Sequence, residues 1–184
     1  MLSSAYQLSS VPSAVSSEKD PENRLLWRAN LTLRLDAESL RDAMLAVAGS
    51  LDLAIGGAPK PLTDDFKRRA LYGTVSRTQP ETTLALFDFP NPNNSSERRA
   101  VTVGPMQRLY FLNNSFVAAQ AKALAERVNP LGDDRKRIAE AYRLLFSRDP
   151  NEEETTLGQE FLAQAPWPQY TQVLLSSTEF SSVR

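Results

Sequence analysis

The side chains best suited to chemistry lie in one stretch, "LFDFPNPNNSSERRAVTVGP" at residues 86–105, with Gln107 just beyond it. Carboxylate, amide and guanidinium groups are interleaved there with prolines and two phenylalanines, so calcium binding, carbohydrate binding and self-bracing all come into question. A regular calcium loop counted from Asp88 fails, because its third and fifth positions are Pro90 and Pro92, its sixth is Asn93 and its twelfth is Arg99. An irregular oxygen set from Asp88, Asn91, Asn93 and Glu97 stays open. A ligand reading uses Arg77, Asp88, Asn93, Arg98, Thr102 and Gln107, with Phe87, Phe89 or Tyr72 as a stacking face for a sugar. A mechanical reading needs no ligand: proline fixes φ, Asx side chains bond backbone two residues on, and Arg98 or Arg99 braces Asp88.

A second cluster comprises Arg34, Asp36, Glu38, Arg41 and Asp42. On a helix Glu38 and Asp42 stand four apart and repel unless a cation lies between them. An ion network is the plain reading; a two-carboxylate glycosidase centre from Glu38 with Asp42 or Asp88 is the functional one. "RRA" at 68–70 and again at 98–100 suits either a solvated face or an anion such as a sulfated sugar. Sequons at Asn30, Asn93, Asn94 and Asn113 are short enough to arise by chance.

What is missing narrows the chemistry further. The 184 residues contain no His and no Cys, which removes Ser/His/Asp and cysteine nucleophiles, Cys/His zinc sites and histidine acid–base catalysis within this chain. Carboxylates, Lys, Arg, Tyr, Ser and Thr remain, and no cofactor or metal motif is complete. The charged fraction is 23%, the apolar fraction 41% and the net charge −1, a globular composition without the basic excess of a nucleic-acid binder. A chain of this size buries roughly 70% of its unfolded surface as an ordinary domain. No apolar run of membrane-spanning length occurs, and "MLSSAYQLSSVPSAVSS" lacks the basic and apolar regions of a secretory signal, so an export signal is expected to lie outside this chain.

The elements that must position these residues read as mainly α. Residues 1–19 are Ser-rich and predict an extended arm, and 20–184 predict one helical domain that allows a subdivision into 20–130 and 131–184. Asp20 and Pro21 open a short helix that buries Leu25, Leu26 and Trp27. Leu33, Ala37, Leu40, Met44, Val47 and Leu51 keep helical spacing, with Asp36 as cap and Gly49 as stop. "RRALYGTVSR" predicts a short strand, and a helix follows from Thr78 or Gln79 with Pro80 in its first turn. A further helix starts over Thr102–Pro105 with Met106, Leu109 and Leu112 on one face; Asn113–Ser115 either break it or kink it. Three more helices close the chain. Asp133 or Asp134 caps one with a stripe of Ile138, Tyr142 and Leu145. Asp149, Pro150 and Glu152 open the next, with Leu157 and Phe161 inward, and Trp167, Tyr170, Leu174 and Phe180 anchor the last. The expected architecture is an irregular multi-helix bundle with long ordered loops and at most one small β pairing, placed between the segments near Tyr72 and Val101.

Eight blocks occur in order: "DPENRLLWR", "RLDAESLRDAMLAVAGSLD", "LYGTVSR", "LFDFPNPN", "RRAVTVGPMQRLYFLNNSFV", "AQAKALAER", "RIAEAYRLLFSRDPNEEE" and "LLSSTEF". The series resembles the C-terminal domain of unknown function of large, exported, planctomycete-type proteins associated with cytochrome c-like regions. The resemblance implies an exported chain, periplasmic or at the cell surface, whose partners are other domains of the parent protein or an exported protein, and whose wider system acts on polysaccharide. It also implies that haem chemistry lies in another part of such proteins. Arg148, Pro150 and Glu153 resemble the helical R-x-P-x-x-E pattern of extracellular modules, where Arg and Glu brace a helix start. The expectation is a non-catalytic helical interaction module, with a carbohydrate-binding or carbohydrate-processing domain around residues 86–107 as the alternative. An exposed apolar patch drawn from Leu2, Tyr6, Trp27 and Trp167 would signal docking onto absent neighbouring regions.

Overall fold

In the computed structural model, the described residues are 4, 7, 13–22 and 33–183. The expected helix around Leu25, Leu26 and Trp27, and the apolar residues Leu2 and Tyr6, lie outside them. The chain divides into two compact units, one of residues 1–35 with 182–184 and one of residues 36–181. In the smaller unit α1 spans Ala14–Lys19, inside the stretch expected to be extended. Strand β1 (Leu33–Arg34) pairs antiparallel with β2 (Ser182–Val183), Leu33 opposite Val183.

The larger unit is helical, as the periodicity requires. Asp36 accepts the Ser39 amide at 2.8 Å and opens α2, Ala37–Val47, so Leu33 falls outside the helix. Gly49, at φ +72°, ends that segment in the left-handed region that favours glycine. The expected strand near Tyr72 is instead a 3₁₀ turn, Ala70–Tyr72, and its β pairing among the described residues is limited to isolated parallel bridges, Asp52 with Arg68 and Lys60 with Gly73. Gly73 earns its place sterically, since a Cβ there would lie 2.5 Å from Leu62 Cδ2. The β pairing expected between the Tyr72 and Val101 segments therefore gives way to the one at β1 and β2.

Helix α3 (Thr82–Leu86) begins later than expected, capped by Glu81, whose Oε2 accepts the Leu84 amide at 2.6 Å. Two helices, not one kinked helix, follow it. Pro105 opens α4 (Pro105–Asn113), and Asn114 caps α5 (Ser115–Val128) by accepting the Phe116 amide. On α4 the buried side chains are Gln107 and Phe111, while Met106, Leu109 and Leu112 face outward. Helix α5 packs along α8 (Trp167–Leu175), with Val117, Leu124, Val128 and Leu175 fully enclosed. Between them the buried Thr171 hydroxyl donates to the Ala121 carbonyl at 2.7 Å, a polar tie across the helix interface.

Helix α6 (Asp134–Phe146), capped by Asp133, buries Ile138, Tyr142 and Leu145 as expected. The start of α7 (Glu152–Leu162) lies two residues beyond the expected cap: Asn151 accepts the Glu154 amide and Glu154 accepts the Asn151 amide, a reciprocal capping box. On this helix Thr155 and Gly158 are buried, and Leu157, expected inside, is exposed. Ser176 and Ser177 separate α8 from α9 (Thr178–Ser181), which carries Phe180 into the core.

Arg148 ties this end together, with its fork bound to Glu154 at 2.7 and 2.8 Å and to Glu179 at 2.8 and 2.9 Å. The Glu of the pattern that meets Arg148 is thus Glu154, one residue past Glu153. These bonds hold Glu154 below the ordinary carboxylate range. A carboxylate with a lowered folded-state pKa stabilises the fold above its unfolded value, and that contribution disappears as pH falls through the folded one. Thermal melts are therefore expected to drop as pH is lowered through about 4.5 and beneath it, and Glu154→Gln should melt lower at neutral pH while losing part of that acid dependence. An unchanged pH profile in Glu154→Gln would show that the clamp contributes nothing.

Candidate functional site

The 86–107 segment is built around one residue. Asp88 adopts φ +65°, a left-handed conformation that aspartate tolerates better than most side chains. Its Oδ2 accepts the Thr102 amide at 2.8 Å and its Oδ1 accepts the Thr102 hydroxyl at 2.8 Å, so two segments fourteen positions apart are pinned together. Gln107 continues the chain of bonds: its Nε2 donates to the Leu86 carbonyl at 3.0 Å and to Thr102 Oγ1 at 3.3 Å, and its Oε1 accepts the Gly104 amide. Because Gln107 is buried in α4, the bridge is anchored to the helical scaffold.

Two further braces shape the tip. Asn91 Oδ1 accepts the Asn93 amide in an Asx turn, and Asn93 Nδ2 donates to the Arg77 carbonyl at 2.8 Å. Arg99, not Arg98, provides the ionic brace, and its partner is Glu38 on α2 at 2.8 and 2.9 Å, with Asp36 at 3.4 Å. Arg99 is thereby the cation that relieves the acidic start of α2. Its guanidinium also lies over the Phe89 ring, 5.2 Å from the centroid. Beneath the loop, Phe87 meets Tyr110 and Phe111 edge to face at 5.2 and 5.9 Å.

Of the six ligand candidates, Asp88, Thr102 and Gln107 converge in this bonded frame, and Asn93 reaches Arg77 through its backbone. Arg98 stands apart on an exposed wall. The open surface belongs to other residues. A groove of about 230 Å³ runs beside the loop, floored by Val75, Pro80, Leu84, Phe89, Pro90 and Pro92 and edged by Thr74, Ser76, Glu81 and Asn91. It continues along Phe89–Pro92 to a shallower stretch bordered by Arg98 and Arg99. Of the irregular calcium set, Asp88 and Asn91 already accept hydrogen bonds through their side-chain oxygens, while Asn93 donates through Nδ2. Among the described residues no group of three His, Cys, Asp or Glu is disposed to hold a metal ion.

The second cluster also resolves into separate duties. Asp42 Oδ1 accepts the Ala70 amide at 2.6 Å and its Oδ2 lies 3.5 Å from Arg69, while burial pushes its pKa up. Arg34 donates to the Leu35 carbonyl. Arg41 is the residue that sequence reasoning undervalued: it is only 7% exposed, and donates from Nη2 to the Thr63 and Phe66 carbonyls at 2.7 and 2.9 Å. Its guanidinium stacks 4.1 Å over the Phe116 ring. The signal was present in the spacing, because Arg41 sits with Ala37, Leu40, Met44 and Leu45 on the apolar face of α2. Burial lowers the Arg41 pKa, and burial raises that of nearby Tyr110 to about 12, so its phenol stays neutral.

Comparison with known proteins adds a family. Residues 1–162 match PSD1, a protein of unknown function (DUF1553), and the chain belongs to that family. Neither the curated proteins nor the solved structures contain a match.

The frame makes a graded prediction. Asp88→Ala loses both bonds to Thr102 and leaves alanine in a left-handed conformation, so it should lower stability by about 1–2 kcal/mol in urea denaturation. Asp88→Asn, which tolerates that conformation and keeps an acceptor, should cost about half as much. Equal and negligible losses in both variants would mean that the loop does not depend on Asp88.

Proposed function

We propose that this PSD1-family chain is a non-catalytic helical recognition module whose docking surface is the groove beside the 86–107 loop, and that it takes an extended segment of a protein partner. The observation that carries the reading is the division of labour in the loop. Its polar side chains are consumed in holding Phe89, Pro90 and Pro92 in place, which leaves a mostly apolar concavity with a few polar groups at its edge, the usual make-up of a binding site. Binding surfaces presented on loops held by a rigid scaffold lose little entropy on association.

The ordered sequence blocks support placing this module at the C-terminal end of a larger exported protein, periplasmic or at the cell surface, with the other domains of that protein or an exported protein as partner. A carbohydrate in the same groove is the second reading. It is favoured by the presence of Phe89 beside Asn91, Glu81 and Ser76, which combine a ring face with hydroxyl-binding groups. Processing of the sugar would need a second carboxylate facing Glu81 across the groove, and the edge residues there supply only Glu81.

Panning a displayed peptide library against the protein, in parallel with a panel of neutral and sulfated polysaccharides, tests the proposal. Peptides with apolar side chains at alternate positions should be enriched and should bind with micromolar affinity. Val75→Glu should weaken that binding at least about tenfold, equivalent to 1.4 kcal/mol, whereas Leu157→Glu on the outer face of α7 should not. Saturable polysaccharide binding lost in Val75→Glu would favour the second reading. Peptide binding indifferent to Val75→Glu would remove the groove from the account.

A further inference from the structure

One side of the groove beside the 86–107 loop is formed by three successive residues, Thr74, Val75 and Ser76. Gly73 before them is extended, at φ −74° and ψ 148°, and residues 74–76 run on without turn or bend. Side chains of an extended run alternate between two faces, so three in succession line one groove because the edge of the backbone takes part in the lining. The direction of that edge follows from the bridge to Lys60. The Thr74 amide donates to the Lys60 carbonyl at 2.9 Å, and the Lys60 amide donates to the Tyr72 carbonyl at 3.3 Å. Along an extended chain, successive residues turn their N–H and C=O to opposite edges. Those of Val75 therefore point away from Lys60. Val75 is 54% exposed, and neither backbone group has a hydrogen-bond partner among the described residues.

An accessible edge with its donor and acceptor both open is a template for a further strand. The proline run across the groove is not: Pro90 and Pro92 have no N–H, and the carbonyl of Asn91 between them accepts the Asn94 amide at 3.1 Å. That run offers Phe89 and the pyrrolidine rings to side chains instead. The groove of about 230 Å³ far exceeds the roughly 10–15 Å³ that a single water needs, so it has room for a chain segment. Its lining carries one charge, Glu81, whose Oε2 accepts the Leu84 amide and whose Oε1 is left for a second donor. Buried Arg41 lies behind Leu84 with Nη2 turned to the Thr63 and Phe66 carbonyls, and forms no ion pair with Glu81.

We propose that the partner segment binds as an added β-strand, hydrogen-bonded through its main chain to Val75 and placing a lysine or arginine at Glu81. The proposal rests on the groove reading and fixes the mode of recognition: main-chain bonds on one side, and alternate apolar side chains against Phe89, Pro90 and Pro92 on the other.

The test takes the peptide most enriched in panning and measures its affinity for the full chain by calorimetry, with each peptide amide N-methylated in turn. Methylation of the amide that donates to Val75 should weaken binding about tenfold, and methylation at either neighbouring residue should change it little. In the complex the Val75 amide should exchange about tenfold or more slowly than in the free protein. Val75→Pro, which keeps an apolar side chain but lacks the N–H, should weaken binding where Val75→Ile does not. The methylation series and the exchange rate are read on the unaltered protein, so they decide the matter even if Val75→Pro disturbs the loop. Glu81→Gln, which keeps an acceptor for the Leu84 amide, should weaken a basic peptide about threefold, the scale of an exposed ion pair. Equal tolerance of methylation at every residue, with an unprotected Val75 amide, would overturn the strand and leave the groove reading in place. Selected peptides without lysine or arginine would overturn the contact at Glu81, and a panning that enriches no peptide would remove the groove reading together with this one.

Discussion

The carboxylate of Asp88 on the backbone and hydroxyl of Thr102 is the contact on which the surface of the larger unit depends. A loop of this length without such a tie would sample many conformations, and the entropy of fixing it would fall on whatever bound there. Asp88 closes it at both ends at once. Thr102 passes the constraint to Gln107, Gln107 passes it to Leu86 and α4, and the Asn93 amide gathers in the chain at Arg77. Each of these bonds has a net worth of only about 1 kcal/mol. They act on one short segment, however, and together they restrict it to the shape that leaves Phe89, Pro90 and Pro92 along a groove.

That shape also requires something firm beneath it. The buried Arg41 holds the carbonyls of Thr63 and Phe66, so the stretch after α2 is fixed against the helix rather than left to cover the loop. Arg99 crosses from the loop to Glu38 on the same helix; its side chain is 41% exposed, so this pair guides orientation more than it adds stability. At the far end, α5, α8 and the Arg148 clamp form a platform that takes no part in the groove. Asp88, Thr102 and Gln107, whose side chains brace the loop, lie outside the lining of the groove.

Much of this was legible in the sequence where a residue type has one strong physical role. Asp36 and Asp133 cap helices where their side chains can reach the amide three residues on, and the stripe of Ile138, Tyr142 and Leu145 lies in the core. Errors arose where two residues competed for one role. Asp149 and Asn151 both suit a cap, and the capping box with Glu154 decided for Asn151; on the same helix the small Gly158, not Leu157, lies against the core. Met106, Leu109 and Leu112 have helical spacing but face outward, because Gln107 is drawn inside by the Leu86 carbonyl. The alternation around Tyr72 suggests a strand, yet Arg68 stacked 4.1 Å over Tyr72 and the tight approach of Leu62 to Gly73 favour a turn. At the site, residue types showed that the 86–107 loop was rich in polar partners; which of them were already spent on one another depended on long-range geometry that spacing does not encode.

Recognition at the groove, as proposed, requires the loop to be ordered before anything binds to it. Amide hydrogen exchange of the free protein, read residue by residue, addresses this most directly. The Thr102 amide, donated to Asp88, and the Phe89 amide, donated to the Leu84 carbonyl at 3.0 Å, should exchange about tenfold or more slowly than that of Ser95 at the loop tip. If Thr102, Phe89 and Ser95 exchange at one common fast rate, the loop is not held in the free protein, and a preformed groove cannot be what this domain offers its partner.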